Sequence, residues 1–529
     1  MAGQSTLSVP TQDLPRSLQA SSRRNRVLVG GLLLVTSLLV LVASYVIGTT
    51  TLGVWVVAGT IGLLLGIGIT LRPEVGAYVL IAMVYLNLSS ILELQYGIPS
   101  INKYLVALIA VGTVINRGLM RRRPIKIDRT QGLILLYGVI LLLSTARAEH
   151  QDIAWLRVVD WAKDYAILFV LVQLSDQERN WKRMQWILIS VAFLVAGLSA
   201  FQTISGDYSN NFGGLANAPI HQITSGFDSH RVTGPLDDPN FYAQVLLMVM
   251  PIALYRFFDE WRLFPKLFAG LAAVTITLTA IFTYSRGAAL ALLVLAVLVV
   301  WERRWNPYKV AFVVLVVILV ISPFLPVGYF DRLVQVFDVF SANAPLQSER
   351  SLTGRTSEMI IAVQMFLDHP VFGVGPDNYE KFYLDYSYRL GLDNRLQERQ
   401  AHSLLLETAA ELGVIGVIVF TAIFVSAIRA SSQAKRRLRA AGRRDLLPWI
   451  TGVQFALVSY MTTSLFLHGS FIRYFWLLLG IVISAGHVAD YAIHRATANA
   501  DHDQEVADAQ RPDLDVNTVV PGRGQLVSR

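Results

Sequence analysis

The chain has 529 residues, of which 54% are hydrophobic and only 16% charged, with a mean hydropathy of +0.49. A soluble domain carries about a quarter charged residues, so this composition excludes an ordinary soluble protein and points to membrane-crossing helices, each needing roughly 20 mostly apolar residues. The absence of cysteine excludes disulfides, thiolate metal sites and cysteine nucleophiles, and the net charge of +8 sits in loops, where it does not call for nucleic acid.

Residues 1–26 read as a cytoplasmic N-terminal tail. Arg23, Arg24 and Arg26 precede an apolar run, Val27 to Ile47, that is too long for a signal-peptide core and has no small-residue cleavage site. It predicts a first transmembrane helix that stays in place. Further spans are expected near 52–70, 75–94, 103–118, 130–146, 154–174, 183–203, 239–258, 267–284, 287–302, 309–327, 403–427, 446–465 and 473–493, about fourteen in all within a range of about 12–14.

The fold class is therefore an all-α polytopic membrane protein. Residues 27–203 form N-terminal helices, 204–238 an outer loop and 239–327 a second set of helices. A large, partly helical outer loop follows over 328–401, then C-terminal helices over 402–495 and a disordered cytoplasmic tail over 496–529.

Short loops rich in lysine and arginine mark the cytoplasmic side. Arg117, Arg121, Arg122, Arg123, Lys126 and Arg129 mark one such loop, and Arg429, Lys435, Arg436, Arg437, Arg439, Arg443 and Arg444 another. An even number of spans separates them, so both fall inside, as do both termini. The polar segments Gly206–Asn240 and Gly328–Ala401 then fall outside. Within the second, Met359 to Leu367 predicts an amphipathic helix, closed by "DHPVFGVGPDNY" with its proline and glycine breakers.

Four features share that outer face: Arg231 in "HRVTGPLDDPN", Arg286 in "TYSRGAAL", Arg355 in "LTGRTSEM" and His402 in "AHSLLLE". Arg286 sits in a hairpin with almost no loop. Its guanidinium either snorkels to lipid head groups or clamps phosphate oxygens bidentately, as lysine cannot. Arg355 is expected just before the amphipathic helix, as a solvated charge or a further clamp. Asp238 precedes a proline, and Asn240 is placed to cap the following helix. His402 opens its helix, where the positive end of the helix dipole disfavours imidazolium and suits a general base; the alternative is a histidine that only marks the membrane interface.

Glu407 and Glu411 lie one turn apart on one face and are expected to support the bundle by pairing. Arg157, Asp160, Lys163 and Asp164 are spaced to pair along one face, as a polar lining of an outer cavity. No metal site and no glycine-rich nucleotide loop is apparent. Outside the membrane there is no ATP, so a group transfer there needs an activated donor. A sugar on a lipid diphosphate meets that need, with arginines holding the leaving group as its charge develops.

The series "SRGA", "GRTSEMIIAVQMFLDHPVFGVGPDNY" and "AHSLLLETAAELGVIGVIVF" resembles the O-antigen ligase and O-antigen polymerase superfamily of bacterial membrane glycosyltransferases. With "RVTGPLDDPNFYAQ" the resemblance spans roughly Arg231 to Phe420; the first six spans match only in general character and the tails not at all. It implies a fold of the lipid-phosphosugar glycosyltransferase type, with a large periplasmic loop over the site. It also implies a transfer that needs no metal or cofactor, from an undecaprenyl-diphosphate-linked oligosaccharide to an acceptor hydroxyl, with inversion. His402 occupies the place of the family's base, Arg286 matches a diphosphate arginine through its "SRG" setting, and Arg231 through its place before "DPN".

The implied location is a bacterial inner membrane with a periplasmic active site. The implied partners are membrane lipids, a glycan or lipid A core acceptor, and a chain-length regulator or other polysaccharide-export proteins. Fourteen spans exceed the dozen usual for the ligases, which favours a polymerase. Ligation of a finished glycan to lipid A core or protein is the first alternative. A transporter of lipid-linked sugar is another, set against by dissimilar halves and by charges gathered at one face; a membrane scaffold is the last.

Overall fold

The computed structural model describes residues 66–69, 71–97, 100–120, 125–224, 227–324, 329, 349–392, 397–469 and 472–509. Outside them lie the N-terminal tail, the first expected span, nearly all of the second, Arg121, Arg122 and Arg123, parts of the large loop, and the tail from residue 510.

The described residues are mostly helical. Each expected span from 75–94 onward coincides with a helix or a bent pair. In chain order they are α1 Pro73–Tyr85, α2 Leu88–Tyr96, α3 Ile101–Val114, α4 Arg129–Thr145, α5 Gln151–Leu174, α6 Glu178–Ser205, α7 Pro239–Asp259, α8 Leu263–Phe282, α9 Arg286–Arg303 and α10 Pro307–Ile321. The large loop contributes α11 Glu349–Asp368 and α12 Tyr379–Leu390, and the chain ends on α13 Leu404–Ala440, α14 Leu447–Ser464 and α15 Arg473–Ala509.

Five of these are long and apolar enough to cross a membrane: α6, α7, α8, α13 and the Arg473–Ala498 part of α15. Counting α1 and α2, bent by 57° at Leu86–Asn87, as one span gives six. The expected count of about fourteen is not confirmed. Arg129–Thr145 is short at 17 residues, and α5 carries Asp152, Arg157, Asp160, Lys163 and Asp164.

Other expectations change too. The loop 204–238 contains an antiparallel hairpin, β1 Ile220–Thr224 with β2 Phe227–His230, so the fold is not purely α. The helix expected over Met359–Leu367 starts at Glu349, which places Arg355 inside it rather than before it. α13 runs on through Arg429, Lys435, Arg436, Arg437 and Arg439, which are helical rather than loop residues. Residues 496–509, expected to be disordered, continue α15; their alanines favour helix.

Helices approach closely where glycine permits. A Cβ at Gly452 in α14 would meet the Ile252 backbone of α7 at 3.2 Å, and one at Gly480 in α15 would meet Leu168 O of α5 at 3.3 Å. At the basic end of the bundle several arginines are paired with carboxylates: Arg117 with Asp176, Arg303 with Asp259, Arg443 with Glu178 and Arg437 with Asp490.

α13 is interrupted at Gly413, whose φ of 65° and ψ of −166° are not helical. The segment Pro370–Gly375 docks into the break. Val374 N donates to Ala410 O at 2.9 Å, Gly375 N to Glu411 O at 3.0 Å and Val414 N to Pro370 O at 2.8 Å. Ser144 Oγ of α4 donates to Phe372 O at 2.8 Å and to Glu411 O at 3.1 Å. The groups freed by the break are thus satisfied by a neighbouring chain segment. Ile361, Met365, Val374, Tyr379, Tyr383 and Ala410 bury one another beside it, fastening α11 and α12 to the first turns of α13.

The junction leaves no room for side chains: a Cβ at Gly373 would lie 2.1 Å from the Glu411 carbonyl carbon, and one at Gly413 2.3 Å from Val371 O. Gly373→Ala or Gly413→Ala is expected to cost more than about 3 kcal/mol through overpacking added to left-handed strain. Gly391→Ala has the same sign of φ and open space, and is expected to cost only about 1–2 kcal/mol. Thermal unfolding of the solubilised protein, followed by tryptophan fluorescence, checks the contrast.

Candidate functional site

The turn between α8 and α9 is as tight as the sequence indicates. Tyr284 takes a left-handed φ of 53°, and Ser285 caps α9, its Oγ accepting from Ala288 N. Arg286 is the first residue of that helix. Arg231 reaches this turn from the strand end beyond β2, donating from Nε to Thr283 O at 2.7 Å and from Nη2 to Asn240 Oδ1 at 3.2 Å. Arg355 of α11 joins Arg286, Asn240, Ser285, Phe466 and Leu467 around one small cavity. The structure therefore gathers Arg231, Arg286, Arg355 and Asn240.

Arg231 is buried, and its two side-chain bonds among the described residues go to neutral oxygens. Its pKa is pushed down to about 10, first by burial and further by Arg355 and Arg286, against the opposite pull of Asp238. Positive charge is concentrated here, which is the condition an anion site requires.

Asp238, rather than Asn240, caps α7. Its Oδ1 accepts from Asn240 N at 2.7 Å and Phe241 N at 3.1 Å. Pro239, with its fixed φ, occupies the first helical position, which makes its predecessor the cap and frees the Asn240 side chain to receive Arg231.

His402 stands one residue before Ser403, the N-cap residue of α13, with a left-handed φ of 45°. Its ring is edge-on to His468, centroids 5.4 Å apart, and His468 in turn meets Phe241 at 4.9 Å. Its pKa is lowered to about 4. Burial is the main cause, followed by the nearby charge of Arg355, with Asp238 opposing and Arg399 adding to the effect. These causes keep the ring neutral near pH 7, at the helix start where the sequence places it. Burial and the adjacent ring hold His468 lower still, at about 3.

The two glutamates sit deeper, away from the imidazole. Glu407 Oε2 accepts from Gly469 N at 2.6 Å, and Arg157 Nη2 donates to Gly469 O at 3.3 Å. Glu411 Oε1 accepts from Tyr379 N at 3.4 Å. Asp377, Glu407 and Glu411 bring carboxylate oxygens within 4.8 Å of one another, a grouping that could hold a cation, although no metal site is expected from the sequence. Arg157 lies within electrostatic reach of all three, so the cluster has a counter-ion supplied by the protein. Asp160 is not part of it: it pairs with Lys163 at 2.7 Å. Both line a cavity of about 200 Å³ with Asn102, Lys103, Arg157 and Arg473.

Sequence reasoning missed six residues, four of them in one loop. The loop Phe466–Gly469 lines the arginine cavity with Phe466 and Leu467, touches His402 with His468 and joins Glu407 to Arg157 through Gly469. A histidine–glycine pair between two apolar helices, "FLHGSF", was the available signal. Glu358 and Arg399 also meet at His402, brought there by the path of the large loop, which the sequence does not show.

Residues 271–421 match the O-antigen ligase family. The match takes in Arg286, Arg355, His402 and the Gly413 junction, and leaves Arg231, Asp238, Asn240 and His468 outside it. No curated protein sequence matches the chain.

A role for Asp238 confined to capping has a measurable signature. Asp238→Ala is expected to cost about 1 kcal/mol of stability, while Asp238→Asn, also a good cap, keeps both stability and turnover. Loss of turnover in a stable Asp238→Asn protein would instead make the carboxylate part of the binding site.

Proposed function

We propose, for a chain that belongs to the O-antigen ligase and polymerase superfamily, that it transfers glycan from undecaprenyl diphosphate to an acceptor hydroxyl at the periplasmic face of a bacterial inner membrane. Glycosyl transfer within a membrane, between a lipid-linked donor and an acceptor, follows from the superfamily alone. Growth of a surface polysaccharide by polymerisation is the finer reading, with ligation to lipid A core as its alternative. The same reading keeps the full weave of about fourteen spans, the division into helical sets and outer loops, and cytoplasmic termini.

The observation that carries it is the convergence of Arg231, Arg286 and Arg355 beside a half-buried, neutral His402. The arginines hold the diphosphate and stabilise its growing charge, meeting a need that a metal ion meets in other transferases. His402 takes the proton of the acceptor hydroxyl. That oxygen bonds to the anomeric carbon as the bond from carbon to the diphosphate oxygen breaks, and the electron pair leaves with the diphosphate. Attack opposite the leaving group inverts the anomeric centre. The polar cavity beyond Arg157 suits the hydroxyl-rich acceptor.

Reconstitution with a polyprenyl-diphosphate oligosaccharide tests this. Chain growth on donor alone indicates a polymerase, and product only when lipid A core is added indicates a ligase. The base must be deprotonated, so the rate falls as pH drops through the His402 pKa. With that pKa at about 4, the rate is expected to hold steady from neutral pH down to about 5. Arg355→Ala removes a positive neighbour and is expected to move the acid limb upward. A wild-type limb near 6.5, the ordinary histidine value, would contradict the buried-base reading.

A further inference from the structure

The environment of His402 contains a carboxylate that the transfer described above does not use. Glu358, on α11 one turn beyond Arg355, has a fully buried side chain. Its Oε1 accepts from Arg399 Nη1 at 2.7 Å, and its backbone carbonyl accepts from the Tyr379 hydroxyl at 2.6 Å. The carboxylate is therefore held by Arg399, which supplies a counter-charge where the group is buried, while Tyr379 holds the backbone that carries it. Its other oxygen, Oε2, lies 3.6 Å from His402 Nε2. On the far side of the ring, His402 Nδ1 is buried and has no hydrogen-bond partner among the described residues.

We infer that Glu358 is a positioning residue for His402, holding the ring so that Nε2 carries the hydrogen and Nδ1 presents its lone pair to the acceptor hydroxyl. The inference rests on His402 being the base. At 3.6 Å the contact is longer than a hydrogen bond; contacts of this kind shorten once substrate is bound and charge develops on the ring. During transfer the acceptor proton moves to Nδ1, making the ring an imidazolium whose Nε2–H then donates to Glu358 Oε2. Glu358 takes up no proton in this scheme, and the proton on Nδ1 passes to water admitted as the products leave.

A neutral imidazole needs such help here because its other neighbours mostly oppose protonation. Arg355 on the same helix as Glu358 and Arg399 on the preceding loop both disfavour the imidazolium. Only Asp238, at the start of α7, pulls the other way. His468, from the α14–α15 loop, adds a second ring that itself resists protonation. Among the described residues, Glu358 is the carboxylate within 4 Å of the ring. No signal in "GRTSEM" marks it, because the helix turn that aims it at the ring appears only once the loop is folded.

The test is the pH–rate profile of Glu358→Gln and Glu358→Asp in the reconstituted transfer assay, with the polyprenyl-diphosphate oligosaccharide as donor. His402→Ala is run alongside, and the melting temperature of each variant is recorded. Glu358→Gln keeps an acceptor for Arg399 but loses the charge. We expect kcat to fall roughly 10- to 100-fold, a smaller loss than that from a wrong tautomer in a catalytic triad. KM for the donor should be unchanged, and the acid limb should move to lower pH because the group favouring imidazolium is gone. Glu358→Asp should keep the limb in place and recover part of the rate.

Wild-type kcat in Glu358→Gln, or equal losses in both variants with an unmoved limb, would overturn the inference and leave Glu358 as a fastening for the loop. Full activity in His402→Ala would instead overturn the reading of the base itself.

Discussion

The backbone exchange at Gly413 is the constraint on which the site depends. A helix that crosses a membrane must satisfy its own polar backbone, and interruptions survive only where other groups take over. Here Pro370–Gly375 supplies those groups, and Ser144 adds its hydroxyl from α4. The consequence is positional. The same junction that repairs α13 fixes the large loop against it, so that Arg355 and Glu358 from α11 arrive beside His402 at the start of α13. The two most recognisable stretches of the sequence, "DHPVFGVGPDNY" and "HSLLLETAAELGVIG", are the two sides of one contact.

A second principle is the uneven treatment of arginine along the bundle. At one end Arg117, Arg303, Arg437 and Arg443 each find a carboxylate, and their charge is largely spent within the protein. At the other, Arg231 is held by a carbonyl and an amide oxygen. Neutral partners orient a guanidinium without cancelling its field, so the potential remains for an anion that comes from outside. The same crowding that would receive the proposed diphosphate keeps the adjacent imidazole unprotonated. Anion binding and base strength are thus set by one arrangement of charge.

Much of this was legible in the sequence. Apolar runs located the helices, and the parity of basic loops placed Arg231, Arg286, Arg355 and His402 together, although they lie far apart in the chain. Local chemistry was also readable at the Arg286 turn. What the sequence could not show was contact made by irregular chain. Asn240 reads as a cap by composition, yet Pro239 at the first helical position shifts the helix start by two positions and hands that role to Asp238. His402 reads as neutral because of a helix end; burial and Arg355 are further causes that the sequence does not show. Glu358 and Arg399 carry no pattern, since both are aimed by the folded large loop, and His468 offers only its place in "FLHGSF". Span counting from hydropathy was least secure where helices carry charge, as in α5.

The central claim is that one half-buried imidazole removes the acceptor proton while arginines hold the departing diphosphate. It is tested most directly by comparing wild type and His402→Ala for both binding of the polyprenyl-diphosphate donor and product formation in the same proteoliposomes. The account predicts donor binding within a few-fold of wild type and turnover lower by a factor on the order of 100 or more. Full turnover in the variant, or loss of donor binding equal to the loss of turnover, would contradict it.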